Sequence, residues 1–196
     1  SVIPGPGGGS LESFRNDQTG HSIPFKDRFG GWHLTGKHGI DQHLGNIIGE
    51  LSPSGLKKYA NPPGRQFRWQ TYPVATSDVL AHLLQEHQVG FVNRVVSATY
   101  RTRAVLASAV SSVGVSDTPT FLNREANSLV RYLLFADEAK FPAAGVDGDP
   151  LLLKDFSKNR RQNKMGFSLK DLDLSTRIFR FRCSYMIYSD SFAGLP

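Results

Sequence analysis

The clearest periodicity in the chain begins after Thr76, Ser77 and Asp78, three residues suited to capping a helix N-terminus. From Val79 onward, Leu80, Leu83, Leu84, His87, Phe91, Val95 and Ala98 recur at the spacing of one helical face. Gly90 weakens this predicted helix without ending it, and the pattern runs to about Ser111. A second helix is predicted over about Pro119 to Glu138. Pro119 falls near its first turn, and Leu122, Ala126, Leu129, Val130, Leu133 and Leu134 share a face. Pro142 to Pro150 reads as a loop. Ser168 to Asp171 and Asp173 to Thr176 are helix-start signals, predicting a last helix through Arg177 to Phe192.

The first 75 residues lack such order. Five glycines precede position 21, with prolines at 4, 6 and 24, so residues 1 to 30 read as loop or extended chain. A stretch this poor in core residues predicts that the domain begins upstream of Ser1. Gly30 to Asn46 is polar and punctuated by glycine, yet Trp32 and Leu34 can anchor it, predicting an ordered loop with one short strand or helical turn. Ser52 to Pro73 reads as a further irregular connection. The expected fold is therefore mainly α, a few helices with long irregular loops. Residues 1–75 form a loop-rich, histidine-containing segment, and 76–196 a helical segment of the same single domain. Loops of this length ordered inside a compact domain imply a bound ligand or additional chain.

With 39% apolar and 20% charged residues, the composition is globular. No run reaches the ~18 apolar residues of a membrane helix, and Val89 to Val115 is interrupted by Asn93, Arg94, Arg101 and Arg103. The net charge of +6 is dispersed apart from Lys154 to Lys164, a solvated basic loop with no nucleic-acid motif beside it. No nucleic-acid partner is expected. The single cysteine, Cys183, excludes an internal disulfide and a zinc site of paired cysteines, and reads as a small buried hydrophobe. No nucleophile elbow, phosphate-binding loop or dinucleotide fingerprint is present.

The candidate chemistry is imidazole. His33, His38 and His43 are five apart, among glycines that let the backbone turn tightly toward one metal or haem. His87 lies on the apolar stripe of the first helix and must find a partner for its nitrogens, either a hydrogen bond or a metal. His82 falls on a different face and is expected to be exposed near Glu86. Glu86 reads as an ordinary helix-surface glutamate, or as a base or supporting carboxylate. His21 is a loop histidine before Ile23 and Pro24. Arg177, Arg180 and Arg182 could hold an anionic group such as haem propionates, or form a surface row.

Several blocks together resemble a family of exported bacterial proteins described as cytochrome-c-like. They are residues 19–25 (TGHSIPF), 28–32 (RFGGW), 35–39 (TGKHG), 43–46 (HLGN), 77–79 (SDV), 86–88 (EHQ), 129–135 (LVRYLLF), 168–174 (SLKDLDL), 183–185 (CSY) and 187–189 (IYS). The resemblance implies a cytochrome-c-like α architecture, a periplasmic location, and haem c attached through a Cys-x-x-Cys-His motif that this chain lacks. His21, His38, His43 and His87 match family positions. His33 replaces an aromatic residue, and Asn93 stands where another histidine is expected.

Three functions are therefore expected. The first is a c-type-cytochrome-like electron-transfer protein, or complex subunit, of the periplasm. This chain would line the haem pocket with His21, His38, His43, His87, Arg177 and Arg180, and its partner would be a redox protein or larger complex. The second is a mononuclear metal-dependent enzyme using His38, His43 and His87 with Glu86. The third is a non-catalytic accessory subunit of a larger complex.

Overall fold

The computed structural model describes residues 20–28, 33–35, 39, 43–60, 68–74, 76–111 and 118–195. His38 and Trp32 lie outside the described residues. The chain is mainly helical. Helix α1 (Val79–Ser111) has 33 residues and so spans about 50 Å. It is followed by α2 (Thr118–Leu133), α3 (Pro150–Ser157) and the short α4 (Asp190–Ala193). Among the described residues, no helix is long and apolar enough to cross a membrane.

Capping chemistry starts α1 where the sequence places it. Asp78 Oδ1 accepts from Leu80 N at 2.8 Å, and Oδ2 accepts from Asp149 N at 3.0 Å. Asp149 in turn caps α3 by accepting from Leu151 N and Leu152 N. One carboxylate thus ties two helix starts together. The inner face of α1 then buries Leu80, Leu83, Phe91 and Val95 against Leu129, Leu133, Phe135, Ile178 and Phe179. α3 falls in a stretch where no helix is predicted. Its eight residues are too few for periodicity to register, but the Asp149-Pro150 start is an ordinary cap followed by proline.

Two expectations are corrected. The second helix stops at Leu133 rather than Glu138, because Phe135 adopts the left-handed region (φ 51°). Phe135 N donates to Tyr132 O and Ala136 N to Arg131 O, the paired hydrogen bonds that close a helix C-terminus. The helix predicted over Arg177 to Phe192 is absent. Asp173 Oδ1 accepts from Ser175 N and Thr176 N, and its Oδ2 accepts from Thr176 Oγ1. The cap residue therefore closes a tight turn, and Leu172 pairs with Phe179 across it. Only a 3-10 turn (Tyr185–Tyr188) and α4 are helical there.

Ahead of α1, β1 (Ile47–Ser52) and β2 (Gly55–Ala60) form an antiparallel hairpin, Ile47 opposite Ala60 and Ser52 opposite Gly55. Part of Ser52 to Pro73 is thus regular structure where irregular chain is expected. Leu34 is buried, and its backbone is clasped by Asn46, whose side chain accepts from Leu34 N at 2.7 Å and donates to Leu34 O at 2.6 Å. Thr35 pairs with Ser77 at the start of α1. Thr35 thus ties this stretch to the start of α1, and Asn46 ties Leu34 to the turn before β1.

Candidate histidine network

His21 and His87 meet in the core, 2% and 0% exposed. α1 delivers His87 from its apolar stripe. The turn at Gly20 delivers His21, whose carbonyl accepts from Ala139 N at 2.9 Å. Their Nδ1 atoms lie 3.3 Å apart, and His87 Nε2 lies 2.7 Å from Ser184 Oγ. Tyr132 stacks on both rings, 4.3 Å from His21 and 5.4 Å from His87, and donates its hydroxyl to His87 O at 3.0 Å. Phe135 covers them at 4.7 and 4.8 Å. The left-handed backbone of Phe135 is what turns its ring onto the pair.

Ser184, His87 and His21 form one hydrogen-bonded chain whose direction follows the tautomers. Ser184 Oγ accepts from Met186 N at 3.0 Å, and one arrangement of protons follows when it turns its own hydrogen to His87 Nε2, 2.7 Å away. His87 then carries its proton on Nδ1 and donates it to His21 Nδ1. His21 consequently carries its proton on Nε2. Both rings are neutral. Burial, then His87, Arg28 and Arg94, hold His21 down to about 3, and burial followed by Arg94 holds His87 at about 3.

A buried charge braces this pair. Arg28 is fully buried; its Nε donates to Ile23 O and its Nη2 to His21 O, each at 2.8 Å. Its Nη1 reaches Glu86 Oε2 at 3.4 Å, and Gly20 N reaches Glu86 Oε1 at 3.4 Å. Burial pushes the Glu86 carboxyl up, while Arg28 and the Gly20 N–H pull it down. Glu86 is therefore no surface glutamate. His82 is also buried rather than exposed, at 2%. It does lie on a different face from His87, but His43 packs against that face. Its ring stands edge-on to His43, 5.6 Å away, and burial with Arg28 holds it down to about 4. His43 is fully buried, and its Nδ1 accepts from Gly45 N at 3.0 Å.

The remaining candidates are spread out. His33 is half-buried beside Leu34. Arg177 lies 3.6 Å from Asp173, and exposed Arg180 covers the Phe167 ring at 4.7 Å. Cys183 is half-buried, and burial pushes its thiol up. Among the described residues, no group of three or more His, Cys, Asp or Glu stands together as a metal site.

Haem iron takes imidazole through an open ring nitrogen. Both nitrogens of His87 are occupied by protein. The cleft beside His21 measures about 120 Å³, below the ~300 Å³ of the smallest cofactor pockets. The residues around His21 and His87 therefore do not fit a haem in this arrangement. Arg28, Tyr132, Phe135 and Ser184 complete the network although none is a candidate from sequence.

No family model, curated protein or solved structure matches this chain. Fold and site together define a mainly α protein built around a neutral, hydrogen-bonded histidine network.

Proposed function

We propose that this chain is a docking subunit of a larger cytochrome-c-like redox assembly, with haem carried by sequence outside it and its own histidines serving the fold. The carrying observation is that α1 has two opposed seams. The inner seam is the core. The outer one runs His82, Glu86, Val89, Asn93, Val96, Tyr100, Arg103, Ala107, alternating four and three residues as helix-pairing seams do. Gly20 and Arg28 cover Glu86 and His43 covers His82 at its start, whereas Val89, Val96 and Tyr100 are exposed, Tyr100 by 70%. Val89, Val96 and Tyr100, exposed on one side of a long helix, mark an interaction face.

The occupant we infer is an acidic amphipathic helix of the haem-carrying sequence. From His87 to Ser116 the chain has no acidic residue, and Arg103 lies exposed on the outer seam. A partner with apolar seam positions and flanking carboxylates complements that charge. The resemblance to exported cytochrome-c-like proteins supports the redox setting.

The test is gel filtration with a pyridine haemochrome assay on the protein from its native source. Wild type should run larger than the 21.6 kDa of this chain, with c-type absorbance co-eluting. Val96→Asp with Tyr100→Asp should lose the co-eluting haem while keeping its helical circular dichroism. A double variant still eluting with haem, or a colourless wild type of 21.6 kDa, would overturn the reading.

A further inference from the structure

A Ser184 hydrogen donated to His87 has a consequence at the surface. His21 lines a cleft of about 120 Å³ together with Arg94, Ser128, Arg131, Tyr132 and Asp137. With Nδ1 committed to His87, the His21 nitrogen left for a guest is Nε2, which is a donor when Ser184 gives its hydrogen to His87. Among the described residues no hydrogen bond reaches that nitrogen. Arg94 lies 4.1 Å over the Tyr132 ring and uses Nη1 on Gly90 O at 3.0 Å, which fixes its guanidinium at the cleft while leaving other N–H groups to donate. Arg131 is held at the mouth by Asp137 through two hydrogen bonds. Two arginines against one aspartate leave the cleft net positive, and its floor is a buried donor.

We propose that this cleft binds a small oxyanion of one negative charge, a carboxylate of formate or acetate size. A dry cavity of about 150 Å³ holds benzene, so a guest here has only a few heavy atoms. Neutral His21 supplies one directional hydrogen bond and Arg94 the charge. Asp137 sets the affinity by opposing the guest at the mouth. The guest leaves the Ser184–His87–His21 chain undisturbed, because Nε2–H of His21 is the free end of that chain. This inference is independent of the docking face on α1.

Equilibrium dialysis of radiolabelled formate against the full-length protein, at constant ionic strength, tests it. Saturable binding at one site per chain is expected. Ser128→Asp places a carboxylate on the exposed rim without touching the core and should weaken binding about tenfold or more, whereas Ser128→Asn should not. Asp137→Asn should tighten it. Uptake that never saturates, or a Ser128→Asp protein that binds formate as wild type does, would overturn the proposal.

Discussion

Ser184 is a small residue with a large share in the site. Its N–H donates to Leu133 O, its hydroxyl oxygen receives Met186 N, and the same hydroxyl lies 2.7 Å from His87 Nε2 at the end of the histidine pair. Arg28 does comparable work below, joining two carbonyls and one carboxylate from full burial. Removing one partner of a buried charge pair costs about 3–5 kcal/mol, because the other charge stays behind uncompensated. Arg28→Met should therefore lower unfolding stability by about that amount in urea titrations, and Arg28→Lys should recover little of it, since an ammonium lacks the three-way fork. A variant within 1 kcal/mol of wild type would contradict the bracing role. At this scale the sequence was partly legible. An imidazole on an apolar stripe had to be buried and partnered, and His87 is. His82 and Glu86 were misplaced because helical periodicity reads one covered face, and here a loop segment covers a second.

Among the elements, α1 and the α2 C-terminus meet at Gly90. A Cβ there would run into the Tyr132 hydroxyl, the group that donates to His87 O. Alanine is favoured over glycine by about 1 kcal/mol inside a helix. Gly90→Ala should nevertheless destabilise, by about 1–3 kcal/mol, because overpacking displaces Tyr132 from both histidine rings. A raised denaturation midpoint would show that the close approach is not required. The start and length of α1 were legible, since caps and a long apolar period agree. The end of α2 was not: Leu134 sits on its apolar face, yet Phe135 must leave the helix to cover the histidines. Nor was the 173–176 turn legible, as Asp173 caps a turn and a helix with the same hydrogen bonds.

The whole molecule is folded around imidazoles that must stay neutral. His21, His82 and His87 have folded pKa values near 3, 4 and 3 against 6.5 for the free side chain, so the unfolded chain binds more protons below pH 6.5. Stability should be full above about pH 7 and fall with acid, by about 1.4 kcal/mol per pH unit for each histidine until its folded pKa is reached. Melting temperatures measured from pH 8 to pH 5 should drop once pH passes 6.5, and a flat profile would mean these histidines are solvated. The mainly α character was visible in the sequence, and so was the burial that His87 requires. The role of those histidines was not, because a ligand and a hydrogen-bonded core imidazole ask for the same burial, and only the positions of Ser184 and Tyr132 separate them. The most direct test is a long-range proton–nitrogen NMR spectrum of the histidine side chains at pH 7.5. A neutral His87 protonated on Nδ1, coupled to a neutral His21 protonated on Nε2, is the predicted result. A His87 protonated on Nε2, doubly protonated, or shifted by a bound metal would contradict the network on which this account rests.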